Sequence, residues 1–152
     1  MPETPRRIHV SRVIYAPAGR VFAYLANPAN HPSLDTSGMM RSAANPQPIK
    51  AIGDVFTMNM HNDFRGDHQV ENHIVVYEPD RAVGWAPAEP GHPPAGHTFV
   101  WELAADCDRT IVSQTYDWSK FTHLDMLEHL PVVDRDQLAA SLEKLADAIE
   151  GR

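Results

Sequence analysis

Two runs of alternating apolar and polar residues flank a turn-like Asp-Cys-Asp-Arg segment between residues 97 and 119. This pattern is typical of an antiparallel hairpin with one buried face. Pairing Asp106 with Arg109 turns one set of side chains inward: Phe99, Trp101, Leu103, Val112, Gln114, Tyr116 and Trp118. The hairpin therefore sets polar Gln114 and Tyr116 within an aromatic wall, whereas Asp117 faces outward.

A second hairpin is predicted from strands at 53–62 and 68–78. The glycine in Phe64-Arg65-Gly66-Asp67 suits a three-residue loop at 65–67, since one loop residue needs a positive φ. Phe64 then opposes His68, and the pairs Asn62/Val70, Met60/Asn72 and Met58/Ile74 follow. The inward face gains apolar residues at Phe56, Met58, Met60, Val70, Ile74 and Val76. A two-residue loop would expose both methionines, so burial favours the first register.

The next turn, Glu78-Pro79-Asp80-Arg81, has proline at the first central position of a β-turn. Pairing Glu78 with Arg81 sets Val76 opposite Val83 and Ile74 opposite Trp85. The inward face therefore continues through Val83 and Trp85. Residues 86–97 are predicted to be a long proline-rich loop.

The remaining pattern predicts helices at both ends of the chain. A first strand at 6–15 has no clear inner face, and a helix runs from Ala16-Pro17 to Asn27-Pro28. A further helical turn at 29–34 and a short strand at 39–42 follow. A long C-terminal helix at 134–149 has an apolar stripe at Leu138, Leu142, Leu145 and Ile149. We predict a single α+β domain over 1–152, with a curved antiparallel sheet wrapped around the C-terminal helix and two short helices after the first strand.

Composition narrows the function. The formal net charge is −7, which argues against a nucleic-acid groove or an anionic membrane surface as a partner. No apolar run is long enough to span a bilayer, and the first ten residues lack the apolar stretch of a secretory signal. We therefore expect a cytoplasmic protein without integral membrane contact. The single cysteine excludes an intrachain disulfide.

Several segments in a characteristic order carry a family resemblance: VSRVIYAPAGRVFAYLANPANHPSLD, GDVFTMNM, ENHIVVYEPDRAVGWAP, RTIVSQTYDWS and QLAASLEKLADAIE. With them the chain resembles the START-related polyketide cyclase/dehydrase (SRPBCC) superfamily, whose helix-grip fold is shared with pollen-allergen and lipid-transfer proteins. The resemblance implies a hydrophobic cavity between sheet and long helix, as a rule without a cofactor. Many relatives carry a tryptophan in the short second helix, where this chain has His31 or its neighbours.

The inward residues define a candidate ligand site. A buried amide without a partner costs a few kcal/mol, so the polar inward side chains bond one another, hold water or face a ligand. Satisfied core or rim positions are the alternative, since tryptophan and methionine are also common core residues. The candidate ligand-binding residues are Met58, Met60, Asn62, Asn72, Trp85, Phe99, Trp101, Gln114, Tyr116 and Trp118.

Catalytic residues are not identified by any motif. Tyr116 could position a proton and His68 could act as a base. No metal site is expected, because the histidines show no ligand spacing and only an outer-face pair of His61 and His73 is conceivable.

We expect a protein that binds a hydrophobic or aromatic small molecule. The alternatives are a polyketide-cyclase-like enzyme that uses the same cavity for aldol cyclisation or dehydration, and a protein-interaction or stress-response module. The sequence leaves a homodimer open.

Overall fold

Seven antiparallel strands form one sheet in the computed structural model, which describes residues 6–44, 46–123 and 130–151. The strands are β1 (Arg7–Ile14), β2 (Met40–Ala44), β3 (Val55–Asn62), β4 (Gly66–Glu78), β5 (Ala82–Ala88), β6 (Thr98–Asp106) and β7 (Arg109–Asp117). Their order across the sheet is β1-β7-β6-β5-β4-β3-β2. Helix α1 (Ala18–Leu25) and a 3₁₀ helix (Pro28–Leu34) follow β1, and α2 (Arg135–Glu150) ends the chain.

This architecture confirms the predicted α+β helix-grip fold. Helix α2 packs against β1, β7, α1 and the 3₁₀ helix. A capping box starts it, in which the Asp134 carboxylate accepts from the Gln137 backbone N–H and the Gln137 amide oxygen accepts from Asp134 N–H. The predicted apolar stripe is buried along its whole length, at Leu138, Leu142, Leu145 and Ile149. Among the described residues, no helix is both long enough and apolar enough to cross a lipid bilayer.

The pairing of β1 with β7 shows which side chains of β1 face the core. Ile8 lies opposite Tyr116, Val10 opposite Gln114 and Ile14 opposite Thr110. Val10 and Ile14 are buried and Ile8 packs against the core. The sequence left this face unassigned because Arg12 shares its parity, and only the partner strand decides which parity points inward.

The β6–β7 hairpin has the predicted register. Asp106 pairs with Arg109, Leu103 with Val112, Trp101 with Gln114 and Phe99 with Tyr116. The Arg109 side chain also donates to the Asp106 carboxylate at 2.9 Å across the turn. A two-residue turn leaves little room for slippage, which is why the pattern alone determined this pairing.

The predicted β3–β4 register is wrong: the loop lies two residues earlier than predicted, and each β3 residue pairs four residues earlier on β4. The loop is 63–65, so that Asn62 pairs with Gly66, Met60 with His68 and Met58 with Val70. Gly66 has a φ of 66° and lies where the strand resumes, rather than within the loop. The Asn62 side chain closes the loop by accepting from Arg65 N–H at 2.6 Å. A shift of four residues is an even number and preserves which face each side chain occupies, so the inward face of β3 is as predicted.

The β4–β5 hairpin contains a bulge that the pattern did not reveal. The turn has three residues, with Glu78 opposite Ala82 and Val76 opposite Gly84, and the register shifts between Ile74 and Val76. The predicted Ile74–Trp85 pair is correct, but the Val76–Val83 pair is wrong. Beyond the bulge it is Tyr77 that turns inward, opposite Val83 and against the ring of Phe22 at 5.5 Å.

The start of the proline-rich loop also differs from the prediction. Strand β5 continues to Ala88, so residues 86–88 are strand and not loop. Ala86 and Ala88 are buried, and Pro87 is paired with Asn72 of β4.

Candidate ligand-binding cavity

A cavity of about 540 Å³ lies between the inner face of the sheet, the 3₁₀ helix, the start of α2 and residues 130–133. Most of the residues predicted to bind a ligand line it: Met58, Met60, Asn62, Asn72, Trp85, Phe99, Trp101 and Gln114. Strands β2 to β7 all contribute to the cavity lining, because alternate side chains of a strand point to the same face of the sheet. Leu138 and Ser141 of α2 close the opposite side.

Tyr116 and Trp118 do not line the cavity. Tyr116 is fully buried behind its cross-strand partner Phe99, with the two rings stacked at 4.4 Å and Trp118 at 4.9 Å. Its hydroxyl oxygen accepts a hydrogen bond from Val132 N–H at 3.3 Å. Burial raises the pKa of Tyr116 to about 12, although this backbone hydrogen bond lowers it. The phenol is therefore protonated at neutral pH, and its role as a proton donor stays a prediction.

His68 lines the cavity next to Met60, its cross-strand partner. Its Nδ1 lies 2.9 Å from the carbonyl oxygen of Gly66. A carbonyl only accepts, so Nδ1 carries the proton of this hydrogen bond. In the neutral ring, Nε2 then carries the free lone pair that a general base needs. A catalytic role for His68 likewise stays a prediction.

His31 contributes a buried imidazole from the 3₁₀ helix. The ring is only 4% exposed; it stacks on Trp85 at 4.8 Å and contacts Phe56 edge-on at 5.1 Å. Its Nε2 donates to the Leu25 carbonyl at 2.7 Å, whereas Nδ1 is buried without a partner. Burial lowers the pKa of His31 to about 4, although the backbone hydrogen bond raises it. The ring is therefore neutral near pH 7, with its proton on Nε2.

His97 stands directly before β6 and has a similar environment. Its ring contacts Phe121 at 5.4 Å and Phe99 at 6.2 Å, and its Nδ1 is buried without a partner. Burial, and to a smaller extent electrostatic repulsion from nearby His123, lowers the pKa of His97 to about 4. The cavity thus has a second neutral histidine in its wall.

Most of the unpaired buried polar atoms belong to residues that line this cavity. Within the described ranges they are His31 Nδ1, His73 Nε2, His97 Nδ1 and Gln114 Oε1, and only His73 lies outside the cavity lining. Native proteins pair most buried polar groups, so each exception calls for a physical explanation. Here three of the four exceptions belong to residues that line one cavity.

His31 and His97 were absent from the predicted site residues. The prediction followed strand alternation, and neither residue lies on a strand. A signal was present in the family resemblance, which places a tryptophan in the short second helix of many relatives, where this chain has His31 or its neighbours. His97 directly precedes the β6–β7 hairpin. The alternation of apolar and polar residues within β6 does not predict where the residue before the strand points.

The outer-face histidines His61 and His73 have separate surroundings. His61 Nδ1 lies 2.7 Å from Asp67 Oδ1, and His73 is paired with Val55 across β3. No group of three or more His, Cys, Asp or Glu side chains in the described part of the chain is placed to hold a metal ion.

A second hollow of about 500 Å³ lies beside β2 and β3 and has polar side chains such as Gln47, Lys50 and Gln69. Its acidic residue, Asp54, already accepts from the backbone N–H groups of Lys50 and Ala51. This hollow offers no buried polar group, so the aromatic cavity is the stronger candidate site.

Sequence comparison gives distant relatives. No family model matches the chain. It is 29% identical over 115 residues to the uncharacterized protein Rv0088 of Mycobacterium tuberculosis strain H37Rv, a match covering 75% of this chain and 48% of that protein. The uncharacterized protein MT0096 of strain CDC 1551 matches with the same identity and coverage. The matched region therefore spans about half the length of these curated relatives.

Solved structures match nearly the whole chain at low identity. The Zhui aromatase/cyclase from Streptomyces sp. R1128 has a TM-score of 0.65 at 17% identity, over 97% of this chain and 94% of that one. The Aha1 dimer from Colwellia psychrerythraea has a TM-score of 0.61 at 18% identity, over 95% and 96%. The Polyketide_cyc-like protein Cgl2372 from Corynebacterium glutamicum has a TM-score of 0.54 at 15% identity, over 99% and 86%. At these identities the likeness shows a shared fold.

Proposed function

Because the chain has the helix-grip fold of the START-related polyketide cyclase/dehydrase superfamily, we propose that it binds a hydrophobic or aromatic small molecule between the sheet and α2. The observation that carries this proposal is the cavity of about 540 Å³, whose lining includes three residues with an unpaired buried polar atom. Ligand pockets are commonly of this size, apolar for the most part, with a few polar groups that orient the ligand.

The apolar side chains of the cavity wall support a hydrophobic or aromatic ligand. Trp85, Trp101 and Phe99 offer ring faces and edges, and Met58 and Met60 add polarizable thioethers between them. Such a wall favours a flat, apolar ligand through surface burial, which contributes roughly 25 cal/mol per Å². Asn62 and Asn72 stand on the same wall and would orient the ligand. Tyr116 and Trp118 would support the wall from behind.

Binding can be tested by calorimetric titration with biphenyl, naphthalene derivatives and a medium-chain fatty acid. Met60→Trp adds volume inside the cavity and should abolish binding. Ile111→Trp adds the same side chain at a site on β7 that is 41% exposed and should leave binding unchanged. An unaltered affinity in Met60→Trp would contradict the proposed site, and no binding across the panel would contradict the proposed function.

An enzyme is the second candidate, and the position of His68 favours it. A neutral His68 has its Nε2 lone pair free while Nδ1 donates to Gly66, and the residue lines the cavity. A base in this position could abstract a proton next to a carbonyl in aldol cyclisation or dehydration. Turnover of a poly-β-keto thioester analogue, lost in His68→Phe with ligand affinity retained, would support catalysis. Equal turnover in both proteins would contradict it.

The oligomeric state is a separate proposal. One structural neighbour is described as a dimer, and we propose that this chain also forms a homodimer. Sedimentation equilibrium at micromolar concentration gives the test, and a single species at 17.0 kDa would contradict it.

A further inference from the structure

Two of the unpaired atoms in the cavity belong to side chains that are almost completely buried. His31 is 4% exposed and Gln114 is 6% exposed, and each has one polar atom without a hydrogen-bond partner. Leaving such a group unpaired costs about 1–3 kcal/mol. A ligand that supplies the missing partners recovers this cost, whereas a purely hydrocarbon ligand does not. The unpaired atoms therefore favour ligands that carry matching polar groups. This inference rests on the proposed function, namely that the cavity binds a small molecule.

The hydrogen bond to Leu25 determines whether the free nitrogen of His31 can donate or accept a hydrogen bond from a ligand. A backbone carbonyl can only accept, so the bond of 2.7 Å commits the proton of the neutral ring to Nε2. Nδ1 is then a lone pair and a hydrogen-bond acceptor. Its natural partner is a donor such as a hydroxyl group; an ether or a ketone oxygen cannot replace it.

The sheet determines how far apart the two polar groups stand. The His31 ring stacks on Trp85 of β5, while Gln114 belongs to β7 and pairs with Trp101 of β6. Neighbouring strands are about 4.8 Å apart, so the two groups are separated by roughly 10 Å. A ligand that reaches both is elongated and lies across β6, against the rings of Trp85 and Trp101.

The charged groups on the cavity wall argue for an uncharged ligand. Asp35 and Arg65 both line the cavity. The Asp35 carboxylate already accepts from Ser37 Oγ and from the backbone N–H groups of Ser37 and Met40, and Arg65 pairs with Glu89 at 3.1 Å. Asp35 and Arg65 are therefore not available to neutralise a charged ligand. Burying a charge without a partner is costly.

We propose that the cavity selects an elongated, uncharged ligand with a hydroxyl group at one end, which donates to His31 Nδ1, and with a second polar group at the other end that meets Gln114. Both atoms are covered in the structure, so binding requires small side-chain rotations. Met58 and Met60 on the same wall are unbranched and rotate readily. Hydroxylated aromatic molecules of two or three rings have this chemistry and length.

Matched biphenyls give the test. 4-Hydroxybiphenyl donates a hydrogen bond, 4-methoxybiphenyl only accepts, and biphenyl-4-carboxylate adds a charge. We expect wild-type protein to bind the phenol about tenfold more tightly than the ether, the factor that one hydrogen bond typically contributes, and the carboxylate least of the three. Biphenyl-4,4′-diol should bind more tightly than 4-hydroxybiphenyl, and Gln114→Met should remove that gain.

The variant His31→Phe keeps a ring against Trp85 and removes the acceptor. It should bind phenol and ether equally, with the ether affinity close to that of wild type. Independently of any variant, the ¹⁵N resonance of His31 Nδ1 should move on addition of the phenol and stay in place with the ether. This second measurement holds even where His31→Phe folds poorly.

Each outcome separates the two proposals. Equal binding of phenol and ether by wild-type protein overturns the hydroxyl inference and leaves the proposed function standing. A phenol preference that persists in His31→Phe overturns the assignment to His31. If none of the biphenyls binds, the proposed function fails together with the inference.

Discussion

The imidazole of His31 lies flat on the indole of Trp85, with ring centroids 4.8 Å apart and an interplanar angle of 19°. This contact joins the 3₁₀ helix to the middle of the sheet. Truncating the ring in His31→Ala removes the stack, the contact with Phe56 and the hydrogen bond to Leu25. We expect a loss of about 3 kcal/mol in the free energy of unfolding, measured by urea denaturation. Val75→Ala, at a residue 42% exposed, is the control and should change stability by less than about 0.5 kcal/mol.

Stability should fall with pH in the acidic range. Burial lowers the pKa of His31 to about 4 from its ordinary value of 6.5, so the unfolded chain binds a proton between these values and the folded chain does not. Stability is therefore complete above pH 6.5 and is lost as pH falls toward 4, by at most roughly 3 kcal/mol from this residue. His97, with a similarly lowered pKa, adds in the same direction. His31→Phe should flatten the slope of unfolding free energy against pH, and an unchanged slope would contradict the assigned burial.

Tyr116 should titrate at an unusually high pH. Burial raises the pKa of Tyr116 to about 12, above the ordinary value near 10. The folded state therefore retains this proton between pH 10 and 12, and the stabilisation is lost as pH rises through that window. Absorbance at about 295 nm should show a late transition for one of the four tyrosines, and Tyr116→Phe should remove it. A late transition that survives in Tyr116→Phe belongs to another residue.

Two glycines should respond to alanine with opposite signs. A Cβ at Gly84 would lie 2.8 Å from Val100 Cγ2 and 3.1 Å from the Phe99 carbonyl oxygen. We expect Gly84→Ala to destabilise the protein by about 1–3 kcal/mol. Gly19 lies in α1, where a Cβ would meet only ordinary contacts with Asp80 at 3.5 Å. Gly19→Ala should stabilise by about 0.5–1 kcal/mol through better helix propensity. Equal effects of the two substitutions would show that β5 and β6 are not closely paired at Gly84.

The sequence predicted most of the fold because the relevant signals are local. Alternation in β6 and β7 with a tight turn between them determined both register and face, and the stripe on α2 determined its buried side. The β3–β4 loop lies two residues earlier than predicted, because Gly66, with its positive φ, follows the loop and does not lie within it. Neither the extra residue at Val75 nor the inward turn of Tyr77 has a signature in the hydrophobic pattern.

The cavity lining was predicted where it comes from strands and missed where it comes from elsewhere. Alternation identifies Met58, Asn72 and Gln114 because side chains two residues apart share a face. His31 enters from a 3₁₀ helix and His97 from the end of a loop, where no period relates sequence to direction. Tyr116 shares the inward face with the wall, but Phe99 covers it, and only the stacking of the two rings reveals this.

The bulge in β4 divides this strand into two segments with different structural roles. Before it, His68, Val70 and Asn72 line the cavity; after it, Tyr77 packs on Phe22 in the closed part of the core. Because the register resets between Ile74 and Val76, substitutions in the first segment need not disturb packing in the second. The same scaffold can therefore change what it accommodates while keeping the interior that holds it together, and a library restricted to positions 68, 70 and 72 would exploit that separation.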